Sequence, residues 1–238
     1  MTRGDVLHAV GTLFADQDLD DRGRQQLVEA MRLTGSERTY VEYCGSSCDP
    51  SKRSYDNLRA WLKSNVEHNR GTLQTMLTRS ARFMADHKVM PSTIFDIGAG
   101  HDAWVRLLQE AWPSAQVFAV DRFKIPGMDW HSIEQDVVEF IETFKEEEPT
   151  LLFLSEVIHC KPRNLDALSC PSVAGCAKLI VELDPSERAI DDRLRITGGR
   201  LMHPAEVIAA VGTTSETLLT TYEATFRYWS LAMLPEEA

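Results

Sequence analysis

The run from Thr93 to Trp104, T-I-F-D-I-G-A-G-H-D-A-W, holds the residues best suited to chemistry. Thr93–Ile97 reads as a strand, Gly98 to Gly100 as a tight turn, and Ala103 onward as a helix. The glycines allow a sharp backbone turn and close approach of a ligand. The helix beyond them offers unpaired N–H groups to a ligand's polar end. Asp96, at the strand end, can accept hydrogen bonds from an ammonium group. Val117-Phe118-Ala119-Val120-Asp121 is a second strand ending in an acid, 25 positions after Asp96. A carboxylate there can accept from both hydroxyls of a ribose. Ala103 stands where a dinucleotide fingerprint carries its third glycine, and some fingerprints accept alanine there. Asp96 would repel a pyrophosphate, so the pattern favours a cofactor bearing an amine over NAD.

A second group of chemical residues follows the run L-L-F-L-S-E-V-I-H. Glu156 and His159 lie just past a strand end. His159 could take a proton from a hydroxyl or amine nucleophile, or it could be a hydrogen-bonded wall residue. His101, inside the glycine turn, can serve as a helix-start residue. Arg193, Arg195 and Arg200, in D-D-R-L-R-I-T-G-G-R, could grip a carboxylate or phosphate through paired hydrogen bonds. A plain surface loop explains them equally well. Tyr55, Trp61 and Arg70 are candidates for a substrate lid.

The elements that must position these residues fall into two regions. Residues 1–90 read as helical: Val6, Leu7, Val10, Leu13 and Phe14 recur at helical spacing, as do Leu58, Trp61 and Leu62, then Leu73, Met76, Leu77, Ala81 and Met84. From residue 91 the pattern alternates. Strands are expected at Thr93–Ile97, Gln116–Val120, Leu151–Ser155 and Lys178–Leu183. Helices are expected at Ala103–Ala111, Val137–Lys145, Leu165–Ser169 and His203–Val211. Alternation of this kind argues for a parallel sheet covered on both faces. Thr217–Glu223 and Thr225–Leu231 read as an antiparallel final pair.

Asp96, Gly98, Ala99, Gly100 and the acidic end of the second strand together resemble the class I S-adenosylmethionine-dependent methyltransferases. The resemblance covers residues 91–238. It implies an α/β, Rossmann-like methyltransferase sheet, mostly parallel with an antiparallel last strand, behind a helical N-terminal extension. By this resemblance S-adenosyl-L-methionine is the cofactor, with Asp121 at the ribose, neighbouring Arg122 also binding the cofactor, and Phe123 and Ile125 flanking the adenine. Asp136, in Gln135-Asp136-Val137, would reach the adenine amino group, although it suits a helix N-cap equally. Ser155 and Glu156 would lie near the methionine part. Asp102 stands where the family often has a further glycine. The helix usual between the second and third strands is expected to be reduced to a loop around Pro126-Gly127.

Composition narrows the substrate. The chain has 238 residues and a formal net charge of −11, a poor default for binding nucleic acid. The skew is uneven: residues 1–92 carry 13 basic and 12 acidic residues, whereas residues 93–238 carry 12 and 24. Residues 51–88 hold 8 basic and 3 acidic residues, which suits a solvated helix face or an anionic substrate. A small-molecule substrate is expected, with direct transfer of a methyl group. An RNA or DNA methyltransferase and a non-catalytic partner subunit are the alternatives. Cys44 and Cys48 lack a matching second pair, so no metal is expected. Five cysteines in a chain of this length do not suggest a disulfide framework. No run reaches the ~20 apolar residues of a membrane span, and the N-terminus lacks a signal-peptide pattern. A cytoplasmic protein is expected, with room for a homodimer.

Overall fold

A computed structural model describes residues 63–125, 131–145, 149–159, 162–187, 200–212, 214–224 and 226–235. Residues 63–68 are helical, and α1 follows at Arg70–Asp86. Then come β1 (Thr93–Ile97), α2 (Ala103–Ala111), β2 (Gln116–Asp121), β3 (Ser132–Glu134) and α3 (Val137–Thr143). The chain continues through β4 (Thr150–Ser155), α4 (Pro162–Ala167), a 3-10 turn at Pro171–Val173, and β5 (Ala177–Leu183). It ends in α5 (Pro204–Val211), β6 (Thr217–Glu223) and β7 (Arg227–Met233).

One seven-stranded sheet runs in the order β3-β2-β1-β4-β5-β7-β6. The first five of these are mutually parallel, and β7 is antiparallel to both β5 and β6. The expected mixed α/β sheet is therefore present. β4 and β5 are near-continuous apolar runs because the sheet is covered on both faces. On one face, Leu73, Met76, Leu77 and Met84 of α1 and Trp104, Leu107 and Leu108 of α2 pack against Ile94, Val117 and Phe153. On the other, Val138, Phe140 and Ile141 of α3, with Leu165 and Val207, cover Ile97, Val120, Leu152 and Ile180. Fully burying one such side chain stabilises by roughly 1.5–3 kcal/mol.

Several boundaries differ from the sequence expectation. β3 was not expected as a strand, and it is only three residues long. Its ladder with β2 holds it: Ala119↔Ser132 through Asp121↔Glu134. α4 starts at Pro162, ahead of the expected Leu165, because Asn164 anchors it by donating from Nδ2 to the Val157 carbonyl at 3.0 Å. Leu168, Ser169 and Cys170 then close tighter i→i−3 bonds and end the helix. α3 stops at Thr143 rather than Lys145. The last strand is Arg227–Met233 rather than Thr225–Leu231, in register with both β5 and β6. Among the described residues no helix is long and apolar enough to cross a membrane.

Candidate functional site

The order reverses between β1 and β4, so the chain leaves these two neighbours toward opposite edges of the sheet. In open α/β sheets a crevice forms at such a point, beyond the strands' C-terminal ends. The glycine turn lies there. Gly98 has φ +74° and Gly100 φ +63°, values that favour glycine. Space is limiting as well: a Cβ on Gly98 would lie 2.6 Å from Cγ2 of Val157. Ala99, between them, is buried and donates its N–H to the Val120 carbonyl at 3.1 Å.

Asp121 ties this turn to the end of β2. Its Oδ2 accepts from the Gly100 N–H and its Oδ1 from the Phe123 N–H, each at 3.0 Å. Arg122 and Phe123 follow at the same edge, half-buried, and Ile125 is fully buried. Asp96 is only 1% exposed, and its Oδ2 has no hydrogen-bond partner among the described residues. Burial, and then the nearby Asp121 carboxylate, push the Asp96 carboxyl well above the usual range. A buried acid without a partner is costly to ionise. It fits a site that receives a cationic group.

Asp136 caps α3, with Oδ1 accepting from the Val138 N–H at 3.0 Å, and Val137 is the first residue of that helix. His101 is buried, and its Nδ1 accepts from the Ala103 N–H at 3.2 Å, a helix-start role. Asp102 turns outward to Lys63 at 2.9 Å and Arg106 at 3.4 Å. Partial burial would raise its carboxyl, but the Lys63 hydrogen bond and the two cations hold it below the usual range. Together with Glu67–Arg106 at 3.1 Å, this pair ties residues 63–68 to α2 beside the glycine turn.

Ser155 ends β4, and its buried Oγ has no hydrogen-bond partner among the described residues. Glu156 follows with φ +59°, a left-handed conformation rare for glutamate. Its N–H donates to the Val181 carbonyl at 2.9 Å. His159 is 0% exposed, and its Nδ1 faces Oε2 of Glu182, itself 0% exposed. Glu182 Oε1 accepts from the N–H groups of Val157 and Ile158 at 2.9 and 2.8 Å. One carboxylate thus fixes the turn after β4 and orients the imidazole. Facing a carboxylate, Nδ1 carries a proton.

Glu182 was not singled out from the sequence, although a charged residue inside an apolar strand run was the available signal. Tyr222 and Tyr228 were read only as strand aromatics. Their rings stack at 5.4 Å and 8°, and the buried Tyr228 hydroxyl meets the side chains of Glu156 and Asn65. Burial, and then the Glu156 carboxylate, hold both phenols well above the usual range. Arg200 pairs with Glu206 at 2.9 Å, and Arg70 pairs with Glu110. Tyr55, Trp61, Arg193 and Arg195 lie outside the described residues, as do Cys44 and Cys48. The sheet edge therefore gathers Asp96, Gly98, Ala99, Gly100, Asp121, Arg122, Ser155, Glu156 and His159.

No protein-family model and no curated protein matches the chain. Solved structures do. The plantazolicin methyltransferase BpumL with S-adenosylhomocysteine aligns with a TM-score of 0.53 at 11% identity, over 88% of this chain and 99% of that one. Human N-acetylserotonin methyltransferase with S-adenosylmethionine gives 0.56 at 15% identity, over 98% and 66%. A putative O-methyltransferase from Nostoc punctiforme gives 0.57 at 14%, over 94% and 71%. The sheet order, the glycine turn after β1 and these alignments agree: the chain has the fold of the class I S-adenosylmethionine-dependent methyltransferases.

Proposed function

We propose that this chain is an S-adenosylmethionine-dependent methyltransferase acting on a small molecule by direct methyl transfer. The observation that carries it is the buried Asp96 carboxylate, whose Oδ2 lacks a partner among the described residues, beside a turn that glycine alone fits. When bound, S-adenosylmethionine supplies an electrophilic methyl group on a sulfonium. Asp96 would accept from its ammonium group and Asp121 from its ribose hydroxyls. Each Asp121 oxygen holds one backbone N–H, and a carboxylate oxygen can accept from more than one donor. Gly98, Ala99 and Gly100 would leave room for close approach. Arg122, Val137 and Asp136 would border the adenine, and Ser155 would border the methionine part.

His159 would act as general base where the nucleophile must lose a proton, its tautomer fixed by Glu182. Glu156 would face the acceptor. Tyr55, Arg193 and Arg195 are retained as substrate contacts from the sequence alone. The chain's net charge of −11 and the small-molecule and peptide names of two structural neighbours favour a small acceptor over nucleic acid. Thermal unfolding with and without ligand tests the cofactor. At about 100 times its dissociation constant, S-adenosylhomocysteine should add about 2.7 kcal/mol to stability, and NAD should add nothing. Stabilisation by NAD alone would overturn the proposal.

A further inference from the structure

Asp102 stands at the start of α2 without capping it. Its side chain makes no capping hydrogen bond to the helix. His101 Nδ1 accepts from the Ala103 N–H instead. The Asp102 carboxylate turns outward, to Lys63 at 2.9 Å and Arg106 at 3.4 Å. Arg106 also reaches Glu67 at 3.1 Å. One turn further on, Glu110 pairs with Arg70 and accepts from the Gln74 amide at 3.1 Å. Asp102, Arg106 and Glu110 are spaced four apart, so they share one stripe of α2. That stripe reads minus, plus, minus, and Lys63, Glu67 and Arg70 answer it plus, minus, plus. A slip of one turn would set Glu67 against Asp102 and Arg70 against Arg106, like charge on like. The ladder therefore favours one register between residues 63–74 and α2.

One end of the ladder lies at the proposed cofactor site, since Asp102 is two residues past Gly100. Val66 is buried in the same apolar cluster as Ala99 and Ala103, and that cluster extends to Tyr228 of β7. The Tyr228 hydroxyl meets Asn65. Tyr228 pairs with Leu183 at the C-terminal end of β5, and β4 and β5 stand between β1 and β7. Neighbouring strands are about 4.8 Å apart, so these three steps span roughly 14 Å. Residues 63–66 thus reach from the glycine turn toward β7, past the end of β4 that carries Ser155 and Glu156.

The two sides of Asn69 are held differently. After it, α1 is anchored by the buried Leu73, Met76, Leu77 and Met84. Before it, Val66 is the one buried residue among residues 63–68. Asn69 itself is a turn between the two helical stretches. The ion pairs that hold residues 63–68 are partly exposed, and salt weakens such pairs. A segment with few buried apolar contacts opens more readily than the core it rests on.

We infer that the Lys63–Asp102–Arg106–Glu67 network is an ionic clasp on the cofactor crevice. Closed, it holds residues 63–68 beside the glycine turn, and the cofactor leaves when it opens. This rests on the proposed methyltransferase reading, which places the cofactor at that turn. The test follows release of S-adenosylhomocysteine from the immobilised full-length chain by surface plasmon resonance, at about 50 and about 500 mM potassium chloride. In wild type the release rate should rise at least fivefold at the higher salt. Asp102→Asn and Lys63→Met should each release the ligand at least threefold faster at low salt and lose most of the salt response. Arg82→Gln, which breaks only the exposed Arg82–Asp86 pair within α1, should behave as wild type. Hydrogen exchange should quicken over residues 63–68 in Asp102→Asn, with α1 beyond Leu73 still protected. Wild-type release rates in both clasp variants, with the ligand bound normally, overturn the inference and leave the cofactor reading standing. Faster release without faster exchange over residues 63–68 overturns it too, and assigns Asp102 to the ligand directly. A wild-type chain that binds no S-adenosylhomocysteine overturns the methyltransferase reading, and the clasp with it.

Discussion

The backbone N–H of Gly100 donates to Oδ2 of Asp121 at 3.0 Å, so the acid that ends β2 also holds the turn that follows β1. Its other oxygen holds the Phe123 N–H. Asp121→Ala therefore removes a proposed ribose acceptor and leaves two backbone donors without their partner. A loss of about 1–3 kcal/mol is expected, with at least tenfold weaker S-adenosylhomocysteine binding. Asp121→Asn keeps one carbonyl oxygen and should unfold later than the alanine variant. Urea denaturation of the two variants side by side checks the order.

Gly98→Ala should be among the most damaging small changes. The new Cβ would meet Val157 Cγ2 at 2.6 Å, on a backbone at φ +74°. A cost of roughly 1–3 kcal/mol is expected from the conformation and overlap together. Val157→Ala in the same chain should recover only the overlap part. Full recovery would mean that the left-handed conformation costs nothing here. A double-mutant cycle in urea separates the two contributions.

Asp96 makes stability depend on pH in a definite direction. Burial and Asp121 raise its pKa in the folded chain, while the unfolded chain keeps a value near 3.9. The folded state thus holds the proton over a range where the unfolded state has released it. Stability from this group is full below about pH 3.9 and is lost as pH rises through the higher folded value. Asp96→Asn should remove that slope, raise the unfolding temperature at neutral pH, and weaken S-adenosylhomocysteine binding at least tenfold. An unchanged slope would show that Asp96 is not the titrating group.

The parts of this site that were legible in the sequence are those carried by local pattern. Asp96, Gly98, Gly100 and Asp121 were readable because strand ends and glycine turns are written in adjacent residues. The Asp136 cap is legible for the same reason. Glu182 escaped because its partners, the Val157 and Ile158 N–H groups and His159, are more than twenty residues away and are brought to it by strand pairing. β3 escaped because three residues carry too little periodicity to register. Tyr222 and Tyr228 read correctly as strand residues, but their convergence on Glu156 depends on β7 lying beside β5.

Glu182 is a positioning residue for His159. Glu182→Gln should keep Oε1 as acceptor for the Val157 and Ile158 N–H groups. Its amide would present a donor to Nδ1 and drive the imidazole to the other tautomer. Methyl transfer to an acceptor that must lose a proton should fall by about 10²–10⁴, with S-adenosylhomocysteine affinity within threefold of wild type. The pH profile of kcat should lose its ascending limb. A profile of unchanged shape would assign Glu182 to folding alone.

Glu156 sets function against stability. Glu156→Gly relieves the left-handed backbone and should gain about 0.5–1 kcal/mol. The same change removes the carboxylate proposed to face the methyl acceptor. A variant that melts later and transfers the methyl group more slowly is the expected pair of results.

The most direct measurement is calorimetric titration of the purified chain with S-adenosylmethionine, S-adenosylhomocysteine and NAD, for wild type and Asp121→Ala. Micromolar binding of both sulfur compounds, weakened at least tenfold in Asp121→Ala, is the predicted result. Binding of NAD with neither sulfur compound, or affinity indifferent to Asp121, would contradict it.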